Sequence, residues 1–207
     1  MRDNTDFLKP ECYKRNYSYK LIDHVGIGQY PKIGSGLCLP MVIEKVRKEL
    51  SVKDGSVLLC RSFGCLVASY FLAQEPEHLE CYARVILWVP SPFHSVWERF
   101  AKDKDSLANF NNKAARKGFM INETFWETTY PIEYFAKRFH RKDVSIGFGT
   151  EDIYCDKAFA VYLHDLIAHY TECFVDTLEI LGARHEIKGS DDKNIVNQYL
   201  SFIFRNK

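Results

Sequence analysis

The sequence predicts an α/β domain: a mostly parallel sheet of about five strands flanked by helices, with a helical insertion over one end of the sheet. Three observations point there. Short apolar runs rich in Val, Ile and Leu alternate with segments of helical spacing from about residue 18 to the C-terminus. Those runs lack strict in–out alternation, as expected of strands covered on both faces. Residues 91–140 interrupt the alternation with aromatic and charged residues and no strand pattern.

Tyr19-Lys20-Leu21-Ile22 reads as a short first strand. Residues 40–50 follow as a helix, with Val42, Ile43, Val46 and Leu50 on one broad face. Ser56-Val57-Leu58-Leu59-Cys60 is the next strand, and 64–74 is apolar on nearly every side, which predicts a buried helix. The strand pattern is strongest over 83–89, where Pro90 stops it. Beyond the insertion, 144–148 and 177–181 complete the strands, with helical spacing over 156–170 and 192–204. Asp191 and Asp192 stand where N-terminal capping acceptors are needed for the last helix.

The chain of 207 residues suits one domain spanning 1–207, with 91–140 as a lid inserted within it. At this size roughly 70% of the unfolded surface is buried on folding, so the core needs no staples. Lys plus Arg is 28 and Asp plus Glu is 27, giving a net charge of +1. Such a balance exerts no general pull toward nucleic acid or anionic membranes. The seven cysteines are odd in number, with no C-x-x-C pair and no zinc-type Cys/His spacing, so no metal site is expected. The first 20 residues lack the apolar stretch of a secretory signal, and no apolar run approaches a membrane span of about 20 residues. Together these predict a cytoplasmic protein with free thiols. Gly26-x-Gly28 and Gly34-x-Gly36 do not make a dinucleotide fingerprint, and no phosphate-binding loop is present, so no cofactor is expected.

The sharpest local signal is Cys60-Arg61-Ser62-Phe63-Gly64. A strand runs into it and a buried helix runs out, the setting of a nucleophile elbow that lifts a serine Oγ above a sheet. The backbone N–H of Phe63, at the new helix start, would face a developing oxyanion. The bland reading is a serine that caps the helix. Two later turns bear on the choice. Gly149-Thr150-Glu151-Asp152 follows the fourth strand and Gly182-Ala183-Arg184-His185 the fifth. A weak serine nucleophile needs a base, and the base needs a carboxylate to hold its tautomer. The order Ser62, Asp152, His185 meets that need, with Glu151 a rival acid. Cys60 and Cys65 flank the turn and read as buried structural thiols.

With these motifs the chain resembles the α/β-hydrolase superfamily over about residues 18–207. Asp23-His24-Val25-Gly26-Ile27-Gly28 is similar to that family's D-x-x-G-x-G turn, 60–64 to its elbow, and 149–152 and 182–185 to its acid and histidine turns. Residues 117–134 resemble lids of serine esterases and feruloyl-esterase-like members. The resemblance implies Ser62 as nucleophile, His185 as base and Asp152 as acid. It also implies an acyl-enzyme route acting on a small-molecule carboxylic ester or thioester, with Phe93, Phe119 and Trp126 lining the substrate pocket. Cys60 departs from the family's glycine. Only 22 residues precede Asp23, where the family has three strands. The expectation is therefore that the strand at 18–22 lies beside 56–60, which would bring a backbone N–H such as that of Val25 to the oxyanion. A second reading is a non-catalytic or partial fold that serves binding or is completed by another chain. A homo-oligomeric state is left open.

Overall fold

The computed structural model of the chain describes residues 7–20, 39–50, 53–90, 105, 108, 109, 112, 136–139, 142–153, 155 and 157–205. In chain order the elements are α1 (Leu8–Lys14), α2 (Leu39–Glu49), β1 (Ser56–Arg61), α3 (Phe63–Gln74), α4 (Glu77–Glu80), β2 (Tyr82–Trp88), β3 (Val144–Gly149), α5 (Lys157–Tyr170), β4 (Val175–Ile180) and α6 (Lys193–Ile203). A short 3-10 turn, Lys137–Phe139, precedes β3.

The strands form one four-stranded sheet in the order β1-β2-β3-β4. All three pairings are parallel. Parallel neighbours need a crossover between them, and helices α3 and α4 supply it from β1 to β2, as α5 does from β3 to β4. The expected strand over 19–22 is not formed at Tyr19 and Lys20, and Leu21 and Ile22 lie outside the described residues. The sheet therefore has four strands among the described residues, and there β1 has one strand neighbour, β2.

Strands β2 and β3 are buried almost throughout, as expected of strands covered on both faces. Strands β1 and β4 depart from that expectation. Val57 is 44% exposed, and β4 alternates between covered and uncovered positions. Among the described residues each of them has a single strand neighbour.

Helix α3 packs on β1 and α2, while α5 packs on β3 and β4. Helix α6 lies against β4 and also reaches Trp88 of β2, whose ring meets Tyr199 edge-on at 4.6 Å. Room for that indole comes from Gly147, where a Cβ would stand 2.4 Å from the Trp88 ring. A buried arginine, Arg84, ties the same helix to the sheet. Its Nε and Nη2 donate to Ser145 Oγ at 2.8 and 2.6 Å, and its Nη1 donates to the Phe202 carbonyl at 3.0 Å. Such a charge is tolerated in a core only when its donors are used in this way.

The N-terminal helix α1 has no counterpart in the sequence reading. Leu8 is buried, Phe7 stacks near Tyr199 at 6.2 Å, and Tyr17 and Arg15 cover the Phe204 ring. The signal that could have found it is Glu11 facing Lys14 and Arg15 one turn on.

Asp192 caps α6, its carboxylate accepting from the Asn194 N–H at 2.8 Å. Replacing it with alanine should cost about 1 kcal/mol. The check is a lower urea midpoint with an unchanged slope; an unchanged midpoint would refute the capping role.

The insertion expected over 91–140 falls largely outside the described residues. Within it Asp105, Ala108, Asn109, Asn112 and Ala136 are helical. Among the described residues no helix is long and apolar enough to cross a membrane. Every described cysteine is a free thiol.

Candidate active site

Three chain turns leave the C-terminal ends of β1, β3 and β4, on the sheet edge where open α/β folds hold their ligands. Ser62 stands at the first, between β1 and α3, with φ 49° and ψ −121°. An L-residue rarely adopts such a backbone, and holding it costs on the order of 1–3 kcal/mol. The surroundings hold it: the Ser62 N–H donates to the Trp88 carbonyl at 3.0 Å, and the Ser62 carbonyl accepts from the Cys65 N–H at 2.9 Å. The Ser62 side chain makes no capping bond to α3. The bland reading of this serine therefore fails, and its hydroxyl goes elsewhere.

It goes to His185. Nε2 lies 2.8 Å from Ser62 Oγ, and Nδ1 lies 2.9 Å from Oδ2 and 3.2 Å from Oδ1 of Asp152. The Asp152 side chain is fully buried and that of His185 is 22% exposed. A carboxylate has no proton to give, so Nδ1–H donates to it and Nε2 is left as an acceptor for the Ser62 O–H. Asp152 is held in turn by the Cys155 N–H, which donates to Oδ1 at 3.1 Å. Glu151 does not touch His185. It pairs with the exposed Arg184 at 3.2 Å, so of the two adjacent acids Asp152 is the one beside the imidazole.

Backbone contacts bind the acid and histidine turns together. Thr150 N–H donates to the Ile180 carbonyl, and Glu151 N–H to the Ala183 carbonyl. The Gly182 N–H donates to Thr150 Oγ1 at 2.8 Å. Gly149 makes this approach sterically feasible, because a Cβ there would lie 2.1 Å from the Ala183 carbonyl oxygen.

Phe63 is the first residue of α3, where N–H groups have no intrahelical acceptor and carry partial positive charge. Burial pushes the Cys60 thiol up to about 12 and raises that of Cys65 well above the ordinary range. Neither can be a thiolate at neutral pH, which fits a structural role. Val25, the turn 23–28, Phe93, Phe119 and Trp126 lie outside the described residues. Among the described residues one His/acid group has ligand-like proximity, Glu75, Glu77 and His78, at the far end of α3 from Ser62. Glu75 is already engaged there by Arg47 and His78.

Sequence reasoning missed one contact at the site. Arg61 Nη2 lies 3.1 Å from Glu186 Oε1, joining the residue before Ser62 to the residue after His185. Opposite charges at the flanks of two candidate residues were the available signal.

No protein-family model matches the sequence, and no curated protein sequence matches it. Solved structures do. A hydrolase from Oleispira antarctica superposes with a TM-score of 0.63 at 15% identity, covering 98% of this chain and 86% of the other. A monoacylglycerol lipase from Paleococcus ferrophilus gives 0.59 at 13% identity, covering 96% and 88%. The mouse alpha/beta hydrolase domain-containing protein 10 gives 0.54 at 12% identity, covering 95% and 80%. The fold of this chain is that of the α/β hydrolases.

Proposed function

We propose that the protein is a serine hydrolase that cleaves a small-molecule carboxylic ester or thioester through an acyl-enzyme. The observation that carries the reading is the unbroken hydrogen-bond chain from Ser62 through His185 to Asp152, built from three separate strand ends. In the proposed reaction Ser62 Oγ attacks the acyl carbon while its proton passes to His185 Nε2. The Phe63 N–H stabilises the oxyanion. Collapse breaks the bond to the leaving group, which takes the proton from Nε2, and leaves the acyl group on Oγ. Water then attacks the acyl carbon and gives its proton to Nε2. That proton returns to Ser62 as the carboxylic acid departs. Asp152 holds the imidazole tautomer and stabilises the imidazolium. These steps draw only on the chain and water. Likeness in fold to a lipase and a hydrolase agrees with acyl-ester chemistry, and the free thiols agree with action in the cytoplasm. Residues 91–140 are proposed as the lid, with Phe93, Phe119 and Trp126 against the acyl group and the Val25 N–H as a second oxyanion donor.

The test is labelling with a fluorophosphonate probe. Wild-type protein should be labelled at one site, and Ser62→Ala should abolish the signal. Undiminished labelling of Ser62→Ala would refute the nucleophile assignment. A wild-type protein that is folded yet inert to the probe would favour the non-catalytic reading.

A further inference from the structure

We propose that Arg61 and Glu186 are positioning residues whose ion pair clamps the histidine turn to the nucleophile elbow and sets the approach of His185 Nε2 to Ser62 Oγ. The inference rests on the reading of Ser62 as nucleophile and His185 as base.

The sheet order makes such a clamp necessary. Asp152 and His185 follow neighbouring strands, β3 and β4, and the backbone bonds of residues 150, 151 and 182 fix that half of the site directly. Ser62 follows β1, with β2 and β3 lying between it and β4. Three strand spacings amount to roughly 14 Å at the level of the sheet. Among the described residues no backbone hydrogen bond joins the elbow to the 182–187 turn. The Ser–His half of the site is therefore spanned by side chains. Among the described residues one link is the 2.8 Å contact between Oγ and Nε2, and a second is the 3.1 Å pair between Arg61 and Glu186. The second link runs between the immediate chain neighbours of the two residues joined by the first.

Exposure decides which of the two nearby ion pairs matters. Arg61 is only 20% exposed and Glu186 41%, against 79% and 55% for Arg184 and Glu151. A pair as open as the latter contributes almost nothing. It also spans the half that backbone bonds already hold. The Arg61 backbone belongs to the paired strand β1, opposite Trp88, so the ion pair restrains the histidine turn more than the elbow.

The experiment compares wild type, Arg61→Gln, Glu186→Gln, the double variant and Arg184→Gln on p-nitrophenyl acetate, a small neutral ester. A displacement of a fraction of an ångström predicts a loss of about tenfold in kcat for each single variant, with KM within about twofold. The double variant should be no slower than either single one, because each removes the same clamp. Arg184→Gln should keep the wild-type kcat within about twofold. Raising salt to 1 M, where the Debye length is about 3 Å, should slow the wild type toward Arg61→Gln and leave that variant unchanged. If Arg61→Gln fails to fold, Glu186→Gln, altered at a more exposed position, carries the comparison. Unchanged kcat in the single variants, losses that appear in KM, or losses that multiply in the double variant would overturn the clamp. Fluorophosphonate labelling of the same proteins separates the two readings. Labelling that survives Ser62→Ala removes the hydrolase reading and the clamp with it. Labelling that depends on Ser62, beside full kcat in Arg61→Gln, removes the clamp alone.

Discussion

Replacing His185 with alanine should lower the turnover of p-nitrophenyl acetate by about 10⁶-fold, down to what binding and the oxyanion donor alone provide. The size follows from the roles proposed at the site. Among the described residues the Ser62 hydroxyl has His185 within reach, with an Oγ–Nε2 contact of 2.8 Å. Without that base the hydroxyl stays protonated and hardly attacks. The same logic orders the neighbouring variants. Ser62→Ala should be as slow as His185→Ala, and the double variant no slower than either, because the groups act as one unit. Asp152→Asn should lose about 10⁴-fold, since its amide can donate toward Nδ1 and thereby favour the wrong tautomer. The measurement is steady-state turnover on purified variants whose thermal midpoints match the wild type. A loss below about tenfold in His185→Ala would refute the proposed base.

Gly149→Ala should damage both stability and rate, although residue 149 touches no substrate in the proposed reaction. The added Cβ would stand 2.1 Å from the Ala183 carbonyl oxygen and 2.5 Å from its carbon. Both are backbone atoms and have no rotamer into which to retreat. The acid and histidine turns must then separate, and the Glu151 N–H bond to Ala183 is lost. Overpacking together with a lost hydrogen bond predicts about 3 kcal/mol of destabilisation. Separation of the turns by about 1 Å predicts a further loss of about 100-fold in kcat. Urea denaturation and turnover check the two effects separately. A Gly149→Ala protein with wild-type midpoint and wild-type kcat would show that the turns do not depend on this approach.

Much of the architecture is legible in the sequence, because period and punctuation are local properties. The apolar run of β2 and the Val144, Ile146 and Phe148 series of β3 mark them as strands. Helical spacing marks α2, α3, α5 and α6 to within a few residues, and Asp192 announces the start of α6. The strand–turn–helix setting of Ser62, with an acid and a histidine after later strands, is legible too. Helix α1 is not, since its apolar residues are few and gain meaning only against Tyr199 and Phe204.

Tertiary structure decided the rest. Serine after a strand is an equally good helix cap, and only the fold shows that Ser62 makes no capping bond and faces an imidazole 123 positions away. Glu151 and Asp152 are adjacent acids in one turn, equivalent in any linear reading. The backbone bonds at residues 150 and 151 turn Asp152 inward, where the Cys155 N–H meets its carboxylate, and leave Glu151 in solvent with Arg184. Strand order decided that Asp152 and His185 follow neighbouring strands while β2 and β3 lie between the strand before Ser62 and the strand before His185. The physical reason is the same in each case. Spacing along the chain dictates which face a side chain takes, whereas its partner across the sheet depends on which strands become neighbours, and no local pattern carries that choice.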